Sequence, residues 1–434
     1  MGSLIQSLGK KLRDPRGFIG PVLILAGGTA GAHLITAGAL IFIARIYSPA
    51  ALGVLGMFSS IVYTFSVAIC LRFEVAILLP DDEDEARDVF RLAILSAAGL
   101  SLLLAIPILI TGRQFYVDIG LEPIADYVQY VPLAWFTVGA YAALQNWYVR
   151  KKQYRYLAST RIAQSASAAI VQIGSGLVQP VPLGLIAGFI MNSGAAAILL
   201  GFRYWREIKR SAIVPVGMSF ARLRSAFKKY SVYPRYSIWE ALANSGSIQL
   251  PVLLIGAMTE AEEVGYLLLA LSVIQAPLAL FGNAVAQVFI GQAPAKHRTG
   301  DLRGFTLMTL AGLLKAGALP LVLIGISAPF LFPYIFGNEW YRSGVLVAWM
   351  TPWFILQFLA MPVSLALHVT GHQKRVAALQ SFGLVFRLGL VWIVLEVAPQ
   401  YGLEAYALSG AIFYAIYIIT IWLALPPRKD SQST

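Results

Sequence analysis

Long apolar runs and short polar connections alternate along the whole chain. Runs of about 20 apolar residues match the hydrocarbon core of a bilayer. They predict spanning helices over residues 18–46, 51–79, 91–111, 126–148, 158–180, 182–202, 232–258, 264–292, 304–335, 345–369, 376–398 and 403–425. Membrane strands would instead alternate with period two over about 10 residues, and no run does so. The first apolar stretch, Phe18 to Ile46, is longer than the roughly 7–15 residues of a signal-peptide core and has no small-residue cleavage pattern, so it reads as a retained first span. The predicted fold class is an all-α polytopic membrane protein with twelve transmembrane helices.

Composition agrees and excludes several classes. Of the 434 residues, 58% are hydrophobic and 12% charged, with a mean hydropathy of +0.71. Soluble domains carry about 25% charged residues, so a soluble enzyme, a disulfide scaffold and a disordered chain are all excluded. The single cysteine, Cys70, lies inside an apolar run and permits no intramolecular disulfide.

The net charge of +12 invites a nucleic-acid reading, but its distribution points to the membrane. With both termini on one side, 27 of the 33 Lys and Arg fall on that side, three on the other (Arg45, Arg113, Arg342) and three within spans (Arg72, Lys315, Arg387). This is the positive-inside pattern, and it predicts cytoplasmic N- and C-termini. The longest connection, Arg203 to Tyr230, is basic and central. It predicts a six-helix bundle at 1–205, a cytoplasmic linker at 206–230 and a second bundle at 231–434. The turn Pro49-Ala50-Ala51-Leu52-Gly53 is matched by Ala261-Glu262-Glu263-Val264-Gly265, each placing an apolar residue and then Gly at the start of an even-numbered span. Such a match suggests a parallel repeat related by pseudo-symmetry, a common transporter plan.

Polar groups inside the spans are costly and therefore informative. Ser237, Glu240, Asn244 and Ser247 share a face of span seven, and Ser272, Gln275, Asn283 and Gln287 share one of span eight. Ser59, Tyr63, Ser66, Cys70 and Glu74 line span two; Arg161, Ser165, Gln172 and Ser175 line span five; Thr29, His33 and Thr36 line span one. Each stripe alone can be interhelical hydrogen-bond glue. Their spread over both halves favours a hydrated central cavity.

The cations within spans need a counter-charge or water. Arg72 lies about 12 Å and Lys315 and Arg387 about 16–18 Å from their cytoplasmic ends at 1.5 Å per residue. Either an anionic substrate or an ion pair with Glu74, Glu240 or Glu396 would serve. On a continuous helix Arg72 and Glu74, two residues apart, fall on different faces. Glu74 then continues the polar stripe, while Arg72 sits with Phe58, Phe65 and Ile69 and snorkels or bonds a neighbour.

Catalytic motifs are missing. There is no G-x-x-x-x-G-K-[ST] loop, so the chain cannot use ATP in that manner. His33 and His368 stand alone, without ligand spacing for a metal. The run Asp81-Asp82-Glu83-Asp84-Glu85 has no second Asp-rich run to oppose it across a diphosphate, and reads as a solvated acidic start to span three. No cofactor or metal is expected, and no catalytic residue is assigned.

The stretch Tyr47-Ser48-Pro49 … Leu52-Gly53, then Leu71-Arg72-Phe73-Glu74-Val75-Ala76-Ile77-Leu78-Leu79-Pro80 and Glu85-Ala86, resembles the signature of bacterial polysaccharide-type lipid-linked oligosaccharide flippases. The outward segment Leu331-Phe332 … Phe336-Gly337-Asn338-Glu339-Trp340 resembles the family's connection between spans nine and ten. The resemblance implies the multidrug/oligosaccharidyl-lipid/polysaccharide exporter superfamily. Its fold is two six-helix bundles around a central cavity, working by alternating access. It further implies an undecaprenyl-pyrophosphate-linked glycan as cargo, moved from the inner to the outer leaflet of the bacterial inner membrane. A polysaccharide polymerase and a chain-length regulator are the implied partners. Arg72 and Glu74 match the family motif by position. Lys315 and Arg387, on depth, together with Arg161 and Arg72 are the candidates for binding the anionic substrate, with Glu74, Glu240, Asn244 and Gln275 lining the cavity and Glu74 or Glu240 coupling to an ion. The rivals are a multidrug extruder of the same fold, which favours an acidic, aromatic cavity, and a membrane polymerase, ligase or glycosyltransferase.

Overall fold

A computed structural model describes residues 19–210, 219–364, 366–367, 370 and 373–425. The described residues form twelve long helical segments in the order that the apolar runs predict, with no strand among them. They are α1 (Ile19–Ile46), α2 (Pro49–Ile69), α3 (Glu83–Ile110), α4 (Val131–Arg150), α5 (Tyr154–Val178) and α6 (Pro182–Arg210). The second set is α7 (Ile238–Met258), α8 (Ala261–Arg298), α9 (Leu302–Leu313 continuing as Leu319–Phe336), α10 (Tyr341–Val363), α11 (Gln373–Val397) and α12 (Gly402–Ala424). Nine of the described spans are long and apolar enough to cross a membrane by length and composition. The helix α5 is not among them, because it carries Arg161, Gln164, Ser165 and Gln172. A short basic helix, Phe220–Lys229, lies between α6 and α7.

The chain divides into two units. One comprises residues 1–46, 61–118 and 124–242, the other 47–60, 119–123 and 243–434, so α2 begins in the second unit and ends in the first. Inside the first unit α3 packs on α4, α4 on α6, and α6 on α5, with α1 along α5. Inside the second α9 packs on α10, α10 on α12, and α12 on α11. The same three neighbour pairs therefore recur with a shift of six helices, which is the pseudo-symmetry of an internal repeat. In the second unit, Phe289, Leu302, Val363, Leu367, Phe413 and Tyr417 belong to one buried cluster that joins α8 through α12. Large apolar side chains such as Ile110, Phe330 and Val397 remain exposed; in lipid this exposure carries no hydrophobic cost.

The two matching glycine turns meet each other. A Cβ on Gly53 would lie 1.7 Å from the Ala261 carbonyl oxygen, and one on Gly265 would lie 1.9 Å from the Pro49 carbonyl oxygen. The contact is reciprocal: the fourth residue before each glycine supplies the carbonyl that its partner glycine touches. The first turns of α2 and α8 thus cross backbone on backbone about a local two-fold. Close approach of this kind is why small residues mark helix crossings in membranes.

Two spans carry wide turns with a chemical cause. In α9 the stretch Leu314–Ala318 widens to a π-helix just before Pro320, whose ring has no N–H and clashes with the carbonyl four residues back. Tyr233–Ser237, which leads into α7, is likewise π-helical and contains Pro234.

Replacing either crossing glycine forces backbone apart, and overpacking of this kind costs about 1–3 kcal/mol or more. We expect Gly53→Ala and Gly265→Ala each to lower the melting temperature of the purified protein. The double variant should lose less than the sum, because the first substitution already opens the crossing. Additive losses would show that the two glycines do not share one contact.

Candidate functional site

The apolar pattern predicts one continuous helix through span two, but the structure breaks it. α2 ends at Ile69; Leu71 and Arg72 adopt positive φ values of 51° and 62°, and a single turn, Phe73–Ala76, follows. Left-handed backbone at two consecutive residues with Cβ atoms costs about 1–2 kcal/mol each. Strain of that kind persists only where the surroundings over-determine it, and it gathers at functional sites.

The break corrects the helical-wheel placement of Arg72 and Glu74 on opposite faces. Because the chain turns between them, Arg72 Nη1 reaches Glu74 Oε1 at 3.3 Å, and Arg72 Nε donates to Ser237 Oγ at 3.4 Å. Glu74 is buried, and its second carboxylate oxygen, Oε2, has no hydrogen-bond partner among the described residues. Arg72 keeps about a quarter of its side chain exposed. The pair therefore presents an accessible guanidinium beside a carboxylate with one unused acceptor. Cys70 donates to the Gly139 carbonyl at 3.3 Å and is a packing residue beside the break.

The sequence did not reveal what holds this segment. Arg150, at the end of α4, donates to the carbonyls of Ile77, Asp81 and Asp82 at 3.3–3.4 Å and so clamps the chain that leaves the break. Phe73 packs against Phe227 of the short basic helix, ring centroids 5.5 Å apart. That helix is tied down by charge: Arg222 Nη2 lies 2.7 Å from the buried Asp88, which also receives Arg91 at 3.0 Å, and Lys229 pairs with Glu85. The Glu85 carboxylate holds the Lys229 ammonium above the usual lysine range. A signal for this docking was present in Arg87-Asp88-Val89-Phe90-Arg91, a carboxylate set among arginines where a span begins.

Most of the acidic run makes such contacts while staying at least partly exposed. Asp82 caps α3 by accepting from the Glu85 N–H at 2.8 Å, Asp84 pairs with Arg87 at 2.6 Å, and Glu83 pairs with Lys151. No group of three His, Cys, Asp or Glu able to hold a metal occurs among the described residues.

The remaining candidates each have their own surroundings. Arg161 donates to Thr29 of α1 and sits beside Tyr141 and Gln164, with Thr36 and Ser165 bonded nearby at 3.1 Å. Arg387 is 1% exposed. It lies 4.6 Å from the Trp353 ring and 4.9 Å from the Tyr406 ring, and its Nε donates to Ser409 Oγ at 3.4 Å. Its Nη2 has no partner among the described residues. Lys315 is exposed, within the widened turn of α9 and on one side with Met308, Leu319 and Ile326. Glu240, Asn244 and Gln275 are exposed on α7 and α8. The side chains of Asn283 and Gln287, and His368, lie outside the described residues. Arg342, in the first turn of α10, is paired with Glu404 at 2.5 Å and with Glu263 at 3.6 Å.

A hydrogen bond to a charged group contributes about 1.5–3 kcal/mol. We expect Asp88→Asn to raise amide exchange in Phe220–Lys229 at least tenfold while α4 is unchanged. Unaltered exchange in that helix would show that Asp88 does not anchor it.

The description "Polysaccharide biosynthesis protein" is that of the family matching residues 42–344. No curated protein sequence matches the chain. Among solved structures, the chain is similar to the lipid II flippase MurJ in an inward closed conformation, with a TM-score of 0.69 at 12% identity over 92% of this chain and 87% of that one. It is also similar to a multidrug resistance MATE family transporter of the MOP superfamily in an inward-facing conformation, with a TM-score of 0.67 at 14% identity over 93% and 96% of the two chains. At these identities the likeness establishes a shared twelve-span fold.

Proposed function

The chain belongs to the family of polysaccharide biosynthesis proteins, and on that premise we propose that it is a flippase for an undecaprenyl-pyrophosphate-linked oligosaccharide. It works by alternating access between bundles 1–205 and 231–434, joined by the linker 206–230, with both termini cytoplasmic in the bacterial inner membrane. No covalent chemistry is involved. A polysaccharide polymerase and a chain-length regulator are the partners expected at the outer leaflet.

The observation that carries the reading is the Arg72–Glu74 pair in the broken second span. Discontinuous spans are where transporters build substrate and ion sites, because the backbone groups freed there need partners. A pyrophosphate offers the Arg72 guanidinium charged oxygens in place of the single Glu74 contact, and Arg–phosphate pairs are among the stronger hydrogen bonds. Once displaced, Glu74 can accept from a sugar hydroxyl or take up a proton. Cargo binding and carboxylate release are then one event, which gives ion coupling a physical route. Arg161 and Arg387 support an anionic cargo in a weaker way: both are cations without a carboxylate partner among the described residues. A multidrug extruder for cationic compounds would favour the opposite charge.

Losing one charge-assisted contact of about 1.5–3 kcal/mol changes an equilibrium roughly tenfold to a hundredfold. We expect Arg72→Ala and Glu74→Gln each to reduce surface glycan at least tenfold at unchanged membrane levels, with Arg72→Lys intermediate. Full glycan export by both Arg72→Ala and Glu74→Gln would sink the proposal. A gain in drug sensitivity on deletion, without glycan loss, would favour the extruder.

A further inference from the structure

The second unit contains a cavity of about 450 Å³ beside the widened turn of α9. Its walls are Leu278 and Val285 of α8, Leu313, Leu321 and Ile324 of α9, and Phe358 of α10. The hydroxyl in its lining, that of Thr309, donates to the Phe305 carbonyl at 2.9 Å. A water needs two to four polar partners to occupy a buried site, and these walls do not offer them. The matching occupant is hydrocarbon.

Three features say which hydrocarbon. The first is size: a dry apolar cavity of ~150 Å³ admits one benzene ring, so this volume suits about three five-carbon units of a branched chain. The second is the mouth. Gly312 and Pro320 line the cavity and are exposed, and a Cβ on Gly312 would meet nothing within 4 Å. The third is charge. Lys315 lies between those two residues in sequence, is exposed, and shares its side of α9 with apolar side chains. A lysine so placed reaches along its stem for the nearest anion, and side chains on a helix lean toward its N-terminus, here the end at Leu302 that the charge pattern assigns to the cytoplasm.

We infer that this cavity receives part of the isoprenyl chain of a lipid-linked anion, with Lys315 at its mouth on the phosphate. The inference rests on the flippase reading for the identity of the chain. The carrier's tail is then held by the protein rather than left wholly in bulk lipid, so tail and headgroup are both read.

The test uses the full-length protein in lipid nanodiscs with a diazirine-bearing polyprenyl diphosphate that has no glycan. The expected result is labelling of peptides holding Leu278, Val285, Ile324 or Phe358, competed by unlabelled polyprenyl diphosphate. Gly312→Leu, which fills the mouth, and Lys315→Gln should each lower that labelling at least fivefold. Equal labelling by a diazirine phosphatidylcholine, or labelling of wild-type protein only elsewhere, would overturn the inference even if Gly312→Leu failed to fold. Undiminished labelling of a folded Gly312→Leu protein would overturn it too. Unchanged surface glycan on deletion of the protein, with the cavity labelled as expected, would remove the flippase reading and leave the hydrocarbon site standing. The reverse pattern would remove the cavity assignment alone.

Discussion

Two peptide backbones meet where α2 and α8 begin, and the meeting admits only glycine. Each of Gly53 and Gly265 lies so close to a carbonyl of the other helix that a methyl group would overlap it. Since the contact is reciprocal, it fixes the register of α2 against α8 in one place. At 1.5 Å per residue α2 carries its end, Ile69, about 24 Å along its axis from Gly53. The break at Leu71 and Arg72 therefore falls at the far end of a helix pinned at its start, where a change of direction leaves the crossing undisturbed.

The second constraint is that charge within a bilayer must find a partner, and the chain solves this differently at each arginine. Arg72 pairs with Glu74 across a turn, Arg161 bonds hydroxyl side chains of neighbouring helices, and Arg387 lies among the rings of Trp353 and Tyr406. Of the three, Arg72 combines partial exposure with a partner that an anion can displace. Arg387 is closed off from any bulky cargo in this conformation. That contrast is why the proposed site rests on Arg72 rather than on the deeper cation.

Most of the fold was legible in the sequence. Twelve apolar runs became twelve helical segments among the described residues, because a bilayer leaves the backbone few alternatives, and the Gly53 and Gly265 turns marked the repeat. The break in span two was invisible, because residues 67–79 contain neither Gly nor Pro to announce it. A helical wheel consequently separated Arg72 from Glu74, although the structure joins them. The clamp by Arg150 was also hidden, since it joins residues far apart in the chain, whereas the docking of Arg222 on Asp88 left one trace, a carboxylate set among arginines. The acidic run from Asp81 to Glu85 was read as a solvated helix start; Asp82 does cap the helix, and Glu83, Asp84 and Glu85 pair with basic side chains while staying partly exposed.

The central claim is that the protein moves a lipid by its pyrophosphate, and vesicles test it most directly. Purified protein would be reconstituted with a fluorescent oligosaccharide joined to a polyprenyl pyrophosphate, alongside a neutral analogue lacking the two phosphates. Accessibility of each glycan to a membrane-impermeant reagent would then be followed with time. The account predicts rapid, protein-dependent exposure of the pyrophosphate-linked glycan and none of the neutral analogue above empty vesicles. Equal passage of both, or passage of neither, would contradict it.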